Sequence, residues 1–142
     1  MRRITPMKCL YLLIMLIVFA FTSHAQTFQV TDITFNERMP EHRIQRIKNQ
    51  QLGQMCQITV FDNDIKIQLL DKNGKPEGKP IVMQLQLDGT YKSSRTDNSN
   101  PSYPYVYTNV MTVEKIMGYY RSLKIDRWEN QDYLWTLILK RK

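Results

Sequence analysis

Residues 56–70, CQITVFDNDIKIQLL, restrict what this chain can become more than any other stretch. Cys56, Ile58 and Val60 alternate with polar residues before Asp62-Asn63, and Ile65, Ile67 and Leu69 do so after it. A two-residue turn there sets Phe61 opposite Asp64, Val60 opposite Ile65, Ile58 opposite Ile67 and Cys56 opposite Leu69. Opposed residues of a hairpin share a face, so one register gathers all of these apolar side chains together. Asp and Asn tolerate the positive φ that such a turn needs. The stretch is therefore a β-hairpin with one face to bury, and the rest of the chain must cover that face.

Further strands are written in the same alternating pattern. Phe28 and Val30 alternate, then Ile33 and Phe35 continue in the opposite phase, which predicts a bulge around Asp32 or a strand that crosses there from one sheet surface to another. Ile81, Met83, Leu85 and Leu87 form a half-buried strand, with a turn over Asp88-Gly89-Thr90. A three-residue loop there pairs Tyr91 with Leu87 and Ser93 with Leu85. Residues 71–80 and 95–102 are rich in Gly, Pro, Asn and Ser, and read as loops. Tyr103, Tyr105 and Tyr107 begin a strand continuing through Val113. Leu123 and Ile125 belong to another, and Tyr133, Trp135, Leu137 and Leu139 to the last. With a five-residue loop over residues 128–132, Ile125 pairs with Trp135 and Leu123 with Leu137.

Residues 40–53 break the alternation. Ile44 and Ile47 are spaced for a helix, Pro40 and Glu41 suit its first turn, and Gly53 suits the position past its end. The total is about eight strands and one short helix, an all-β class with short antiparallel connections. A small antiparallel β-barrel with the helix plugging one end is favoured, and a two-sheet β-sandwich is the alternative. In strand count and export the architecture resembles lipocalin-like barrels, a resemblance of shape that assigns no function.

Export is itself an expectation. Arg2, Arg3 and Lys8 precede an apolar run of 12 residues, and Ser23-His24-Ala25 supplies small residues before a cut after Ala25. This is the pattern of a signal peptide over residues 1–25, leaving one domain over residues 26–142. The run falls short of the roughly 20 residues that an N-terminal membrane anchor needs, and no transmembrane span is expected in the mature chain. The product would be periplasmic or extracellular. Without the leader, 17 basic residues face 13 acidic ones, a net charge of +4, which gives little support to a nucleic-acid partner. Cys56 is left as the one mature cysteine, so no internal disulfide is expected. Its alternation places it inside as a small hydrophobe rather than as a nucleophile.

The groups that catalysis or metal binding needs are sparse. His42 is the one mature histidine and lies on the helix, with no nucleophile-elbow motif nearby. Asp71-Lys72-Asn73-Gly74 begins like a calcium loop, but Lys75 and Pro76 occupy positions that need an oxygen ligand and a glycine. Glu114, Asp126, Glu129 and Asp132 are the carboxylates that a hydrolase could use. No cofactor motif and no metal site are expected. Aromatic residues concentrate in the last third, and Tyr105, Tyr107, Trp128, Tyr133 and Trp135 are the candidate ligand-binding residues. Such rings line apolar pockets or stack on sugars. The expected function is a secreted, non-enzymatic module that binds a small apolar molecule or a glycan. A filled-core interaction domain for another exported protein is the alternative, and a hydrolase ranks last.

Overall fold

The hairpin forms in the expected register. In the computed structural model, which describes residues 25–142 apart from Asp62 and Gly118, β2 (Met55–Phe61) pairs with β3 (Asp64–Leu70) through Phe61–Asp64, Val60–Ile65, Ile58–Ile67 and Cys56–Leu69. Cys56, Ile58, Ile65 and Ile67 are buried on the shared face. The face is covered because the sheet closes on itself. β1 (Gln26–Phe35), β2, β3, β4 (Ile81–Leu85), β5 (Tyr91–Asp97), β6 (Tyr105–Ile116), β7 (Tyr119–Glu129) and β8 (Asp132–Arg141) follow one another around an antiparallel barrel. The architecture is thus the closed barrel and not the sandwich. The leader reading falls on residues outside those described.

Closure happens on β1. Phe28 lies opposite Cys56 of β2 and Arg141 of β8, and Gln29 opposite Met55 and Lys140, so these two residues belong to both ladders of the seam. The register of β1 against β8 shifts between Val30 and Asp32. This bulge is the expected phase change: Phe28 and Val30 point inward before it, Ile33 after it, and all three are buried. Beyond the bulge β1 leaves β2, and the backbone of Val30 is satisfied by the chain after the helix. Val30 N donates to Gln54 O at 3.0 Å, and Gly53 N donates to Val30 O at 2.9 Å.

The helix, α1 (Glu41–Gln51), begins after Pro40, whose extended backbone (φ −63°, ψ 142°) carries no side-chain cap. Pro40 O accepts from the amides of Arg43 and Ile44, which starts the helical ladder. Leu52 ends the helix, and Gly53 follows at φ +81°, a conformation that glycine adopts without strain. α1 covers one end of the barrel. Arg43 reaches Glu129 at the end of β7, Ile47 enters the core, and Gln51 borders the interior.

Two hairpins differ from expectation by a slide of two residues. Leu85 pairs with Tyr91, rather than Leu87 with Tyr91, because the tight loop sits at residues 87–89. Gln86 N donates to Thr90 O at 2.7 Å, and Asp88 Oδ1 accepts from both Thr90 N and Thr90 Oγ1. Leu87 is consequently fully exposed at the loop tip. At the other hairpin, Glu129 pairs with Asp132 across a two-residue turn in which Asn130 takes φ +54°. The shift between Arg127 and Trp128 then sets Ile125 against Leu137, Leu123 against Leu139, and Arg127 against Trp135. A slide of two preserves the side-chain alternation, so the inward set survives both changes except for Leu87, which leaves the strand for the loop. The loop expected over residues 95–102 is also shorter, since β5 continues through Asp97 and Arg95 pairs with Tyr107. Tyr103 lies outside β6 and is exposed.

Candidate functional site

The interior is packed at one level and open at another. Phe28, Ile58, Ile65, Met83, Met111 and Leu123 are fully buried and form a solid layer. Beyond them lies a cavity of about 350 Å³, within the range of roughly 300–1,000 Å³ usual for small-molecule sites. Its wall is largely apolar, with Ile67, Leu69, Ile81, Ile125, Leu137 and Trp135 among its residues. Leu69 and Ile81, both inward by alternation, are 38% and 40% exposed because they border this space. The polar lining comes from Gln51, Gln54, Asn109 and Arg127.

A second cavity of about 340 Å³ adjoins the first, and Ile81, Asn109 and Arg127 border both. It exists because β4 and β5 are joined only at Gln84–Lys92 and Leu85–Tyr91. β5 stays with β6 along its whole length. The space between Ile81-Val82 and residues 93–95 is left without a ladder, and it forms a side opening into the barrel.

Where the two cavities meet, polar side chains from three neighbouring strands stand in register. Ser93 lies opposite Asn109, and Asn109 opposite Arg127. Asn109 Nδ2 donates to Ser93 Oγ at 3.4 Å, and Arg127 Nη1 donates to Asn109 Oδ1 at 3.1 Å. The Arg127 guanidinium carbon is 4.8 Å from the centre of the Tyr107 ring, and that of Arg95 is 5.2 Å from it. The Nε of Arg127 is sealed from solvent without a hydrogen-bond partner. Burial lowers the Arg127 pKa; Glu129 and Tyr107 act in the opposite direction, and Arg95 adds to the lowering.

The expected aromatic residues divide into three groups. Trp135 borders the main cavity and Tyr107 the side cavity. Tyr105 is at the rim, where its hydroxyl donates to Glu129 Oε2 at 3.1 Å, and this hydrogen bond raises its pKa. Trp128 and Tyr133 border neither of these two cavities. Their rings pack edge to face, 5.5 Å apart, and both residues are half-buried. Arg127 and Asn109 were missed by a reading that looked for aromatic rings. The available signal was positional: Arg127 continues the inward alternation of Leu123 and Ile125, and Asn109 sits two residues before Met111.

Among the described residues no group of three His, Cys, Asp or Glu side chains is close enough to hold a metal. Three of the four carboxylates named above are engaged by neighbours. Glu114 accepts from Ser122 Oγ at 2.6 Å, Asp126 from Thr136, and Glu129 from Arg43 and Tyr105. No helix of the described residues is long and apolar enough to cross a membrane.

Cys56 is a free, buried thiol, and burial pushes its pKa from 9.0 up to about 12. In the unfolded chain it ionises near 9, so its contribution to stability is complete below that pH and is lost as pH rises toward 12. Urea unfolding from pH 8 to 11 is expected to show this alkaline decline, and Cys56→Ala is expected to flatten it. The native thiol is also expected to resist iodoacetamide at pH 8 and to react once urea unfolds the chain. Comparison with protein-family models, with curated proteins and with solved structures found no match.

Proposed function

We propose that this chain is an exported, non-enzymatic binding protein that carries a small apolar ligand inside its barrel. The observation that supports the reading is the 350 Å³ interior cavity with an apolar wall, reached through the gap between β4 and β5. A packed core ordinarily holds few voids larger than a water molecule, and here side chains from every strand except β5 border a space they do not fill. Trp135 and Tyr107 are the aromatic residues placed to touch the ligand. A glycan site built on Trp128 and Tyr133 has less support, since each ring covers the other.

Native mass spectrometry of protein purified from its own host tests the reading, together with titration of a neutral, environment-sensitive dye such as Nile red. A retained small molecule, or saturable one-to-one dye binding that quenches Trp135, is the expected result. A protein that emerges empty and takes up no apolar probe would rule out the carrier role. The interaction-domain reading rests on a different feature, the exposed apolar residues Ile116, Met117 and Tyr119 at the β6–β7 tip.

A further inference from the structure

We propose that the ligand is an amphipathic carboxylate, with its hydrocarbon body in the main cavity and its carboxylate on Arg127 and Asn109 at the junction with the side opening. This deepens the carrier reading and rests on it.

Arg127 is a half-buried cation on the cavity wall with no ion-pair partner among the described residues. A guanidinium has five N–H donors in a planar fork. Its one hydrogen bond to a protein side chain goes to Asn109 Oδ1, and its Nε is sealed without a partner. Among the described residues no carboxylate lies within ion-pair distance of it, the recorded ion pair being Arg43–Glu129 at 3.3 Å. Glu129 is the nearest candidate in sequence, but its two oxygens are taken by Arg43 and by the Tyr105 hydroxyl. Asp126, the other acidic neighbour on β7, accepts from Thr136. Arg95, over the same Tyr107 ring, adds like charge rather than relieving it. Arg127 is half-buried, with its Nε fully sealed, and a ligand anion would supply the ion-pair partner that the protein does not.

The surroundings define the anion. With Nε sealed and Nη1 engaged by Asn109 Oδ1, the remaining terminal nitrogen of the guanidinium is the donor a ligand oxygen can reach, and a carboxylate oxygen is the acceptor such a charged donor holds most strongly. One arginine and one amide supply donors for one small, singly charged head. The apolar wall starts immediately beside it, because Ile125 precedes Arg127 on the same side of β7 and Trp135 lies opposite Arg127. A ligand with its head at the junction therefore reaches the apolar space without a polar gap. The side opening offers the head a path past Arg95, which is exposed there.

Calorimetric titration of the protein with dodecanoate and with dodecanol, an uncharged molecule with the same chain, tests the inference. Dodecanoate is expected to bind about ten- to a hundred-fold tighter, the range of a charge-assisted hydrogen-bonded contact. Shortening the chain to decanoate is expected to weaken binding by roughly four-fold per methylene removed. Arg127→Met keeps much of the side-chain bulk and removes the charge, so it is expected to bind the acid and the alcohol equally. Equal affinities in the unchanged protein, or a preference for the acid that survives in Arg127→Met, would overturn the head-group assignment while leaving the carrier reading intact. Binding of neither compound would overturn both. The comparison in the unchanged protein decides the matter even if the variant fails to fold.

Discussion

Phe28→Ala is expected to destabilise the protein by about 3–5 kcal/mol, the usual range for removing a buried phenylalanine ring. Phe28 is 0% exposed and lies opposite both Cys56 and Arg141, on the strand where the barrel closes. Its ring therefore packs at the seam, where the first and last strands of the sheet meet. The cavity left by alanine adds to the void already beside this layer, and β1 has limited freedom to collapse into it because both of its edges are hydrogen-bonded. A domain of this size has a total stability of about 5–15 kcal/mol, so the loss brings the chain near the point of unfolding. Urea denaturation followed by tryptophan fluorescence measures it, with a lower midpoint and an unchanged slope expected. Val113→Ala, at a half-buried position packed against the core edge, is expected to cost much less. A loss below about 1 kcal/mol at Phe28 would contradict the idea that this ring holds the seam.

Leu137→Trp is expected to abolish most ligand binding while leaving the fold intact. Leu137 borders the cavity opposite Ile125, and a larger side chain there grows into empty space. If the indole displaces the equivalent of three methylenes of ligand, each contributing ~0.8 kcal/mol, affinity for Nile red or dodecanoate falls on the order of 50-fold. The control is the same change at Leu123, which is fully buried one layer away. There the indole has no room, and overpacking is expected to cost about 1–3 kcal/mol of stability. The pair separates a hollow from a filled interior. If both variants lose stability equally and Leu137→Trp still binds, the hollow does not hold the ligand.

Much of the barrel was legible because period-two alternation is a local property of a strand. The Cys56–Leu69 hairpin, the phase change at Asp32 and the helix after Pro40 each follow from residues within a few positions of one another. Where a loop had to be chosen, the reading slipped by two, at Tyr91 and at Ile125. Those registers depend on Asp88 accepting two bonds from Thr90 and on Asn130 entering the left-handed region. The site was only half legible. Tyr107 and Trp135 were chosen as aromatic residues and do border cavities, whereas Trp128 and Tyr133, chosen on the same ground, pack on each other.

The alternation of apolar residues determined by itself that this chain forms an antiparallel sheet with one face to bury, and most of the apolar side chains on that face, Leu87 being an exception. Whether that face meets itself in a closed barrel, and whether the enclosed space is full, are questions of summed volume and curvature around eight strands, and only the tertiary structure decided them. It also decided the meaning of Arg127. An arginine at an inward position is ordinary at a strand end where water reaches it. The role proposed for it rests on the register that places Asn109 and Trp135 opposite it and on the parting of β4 from β5 beside it.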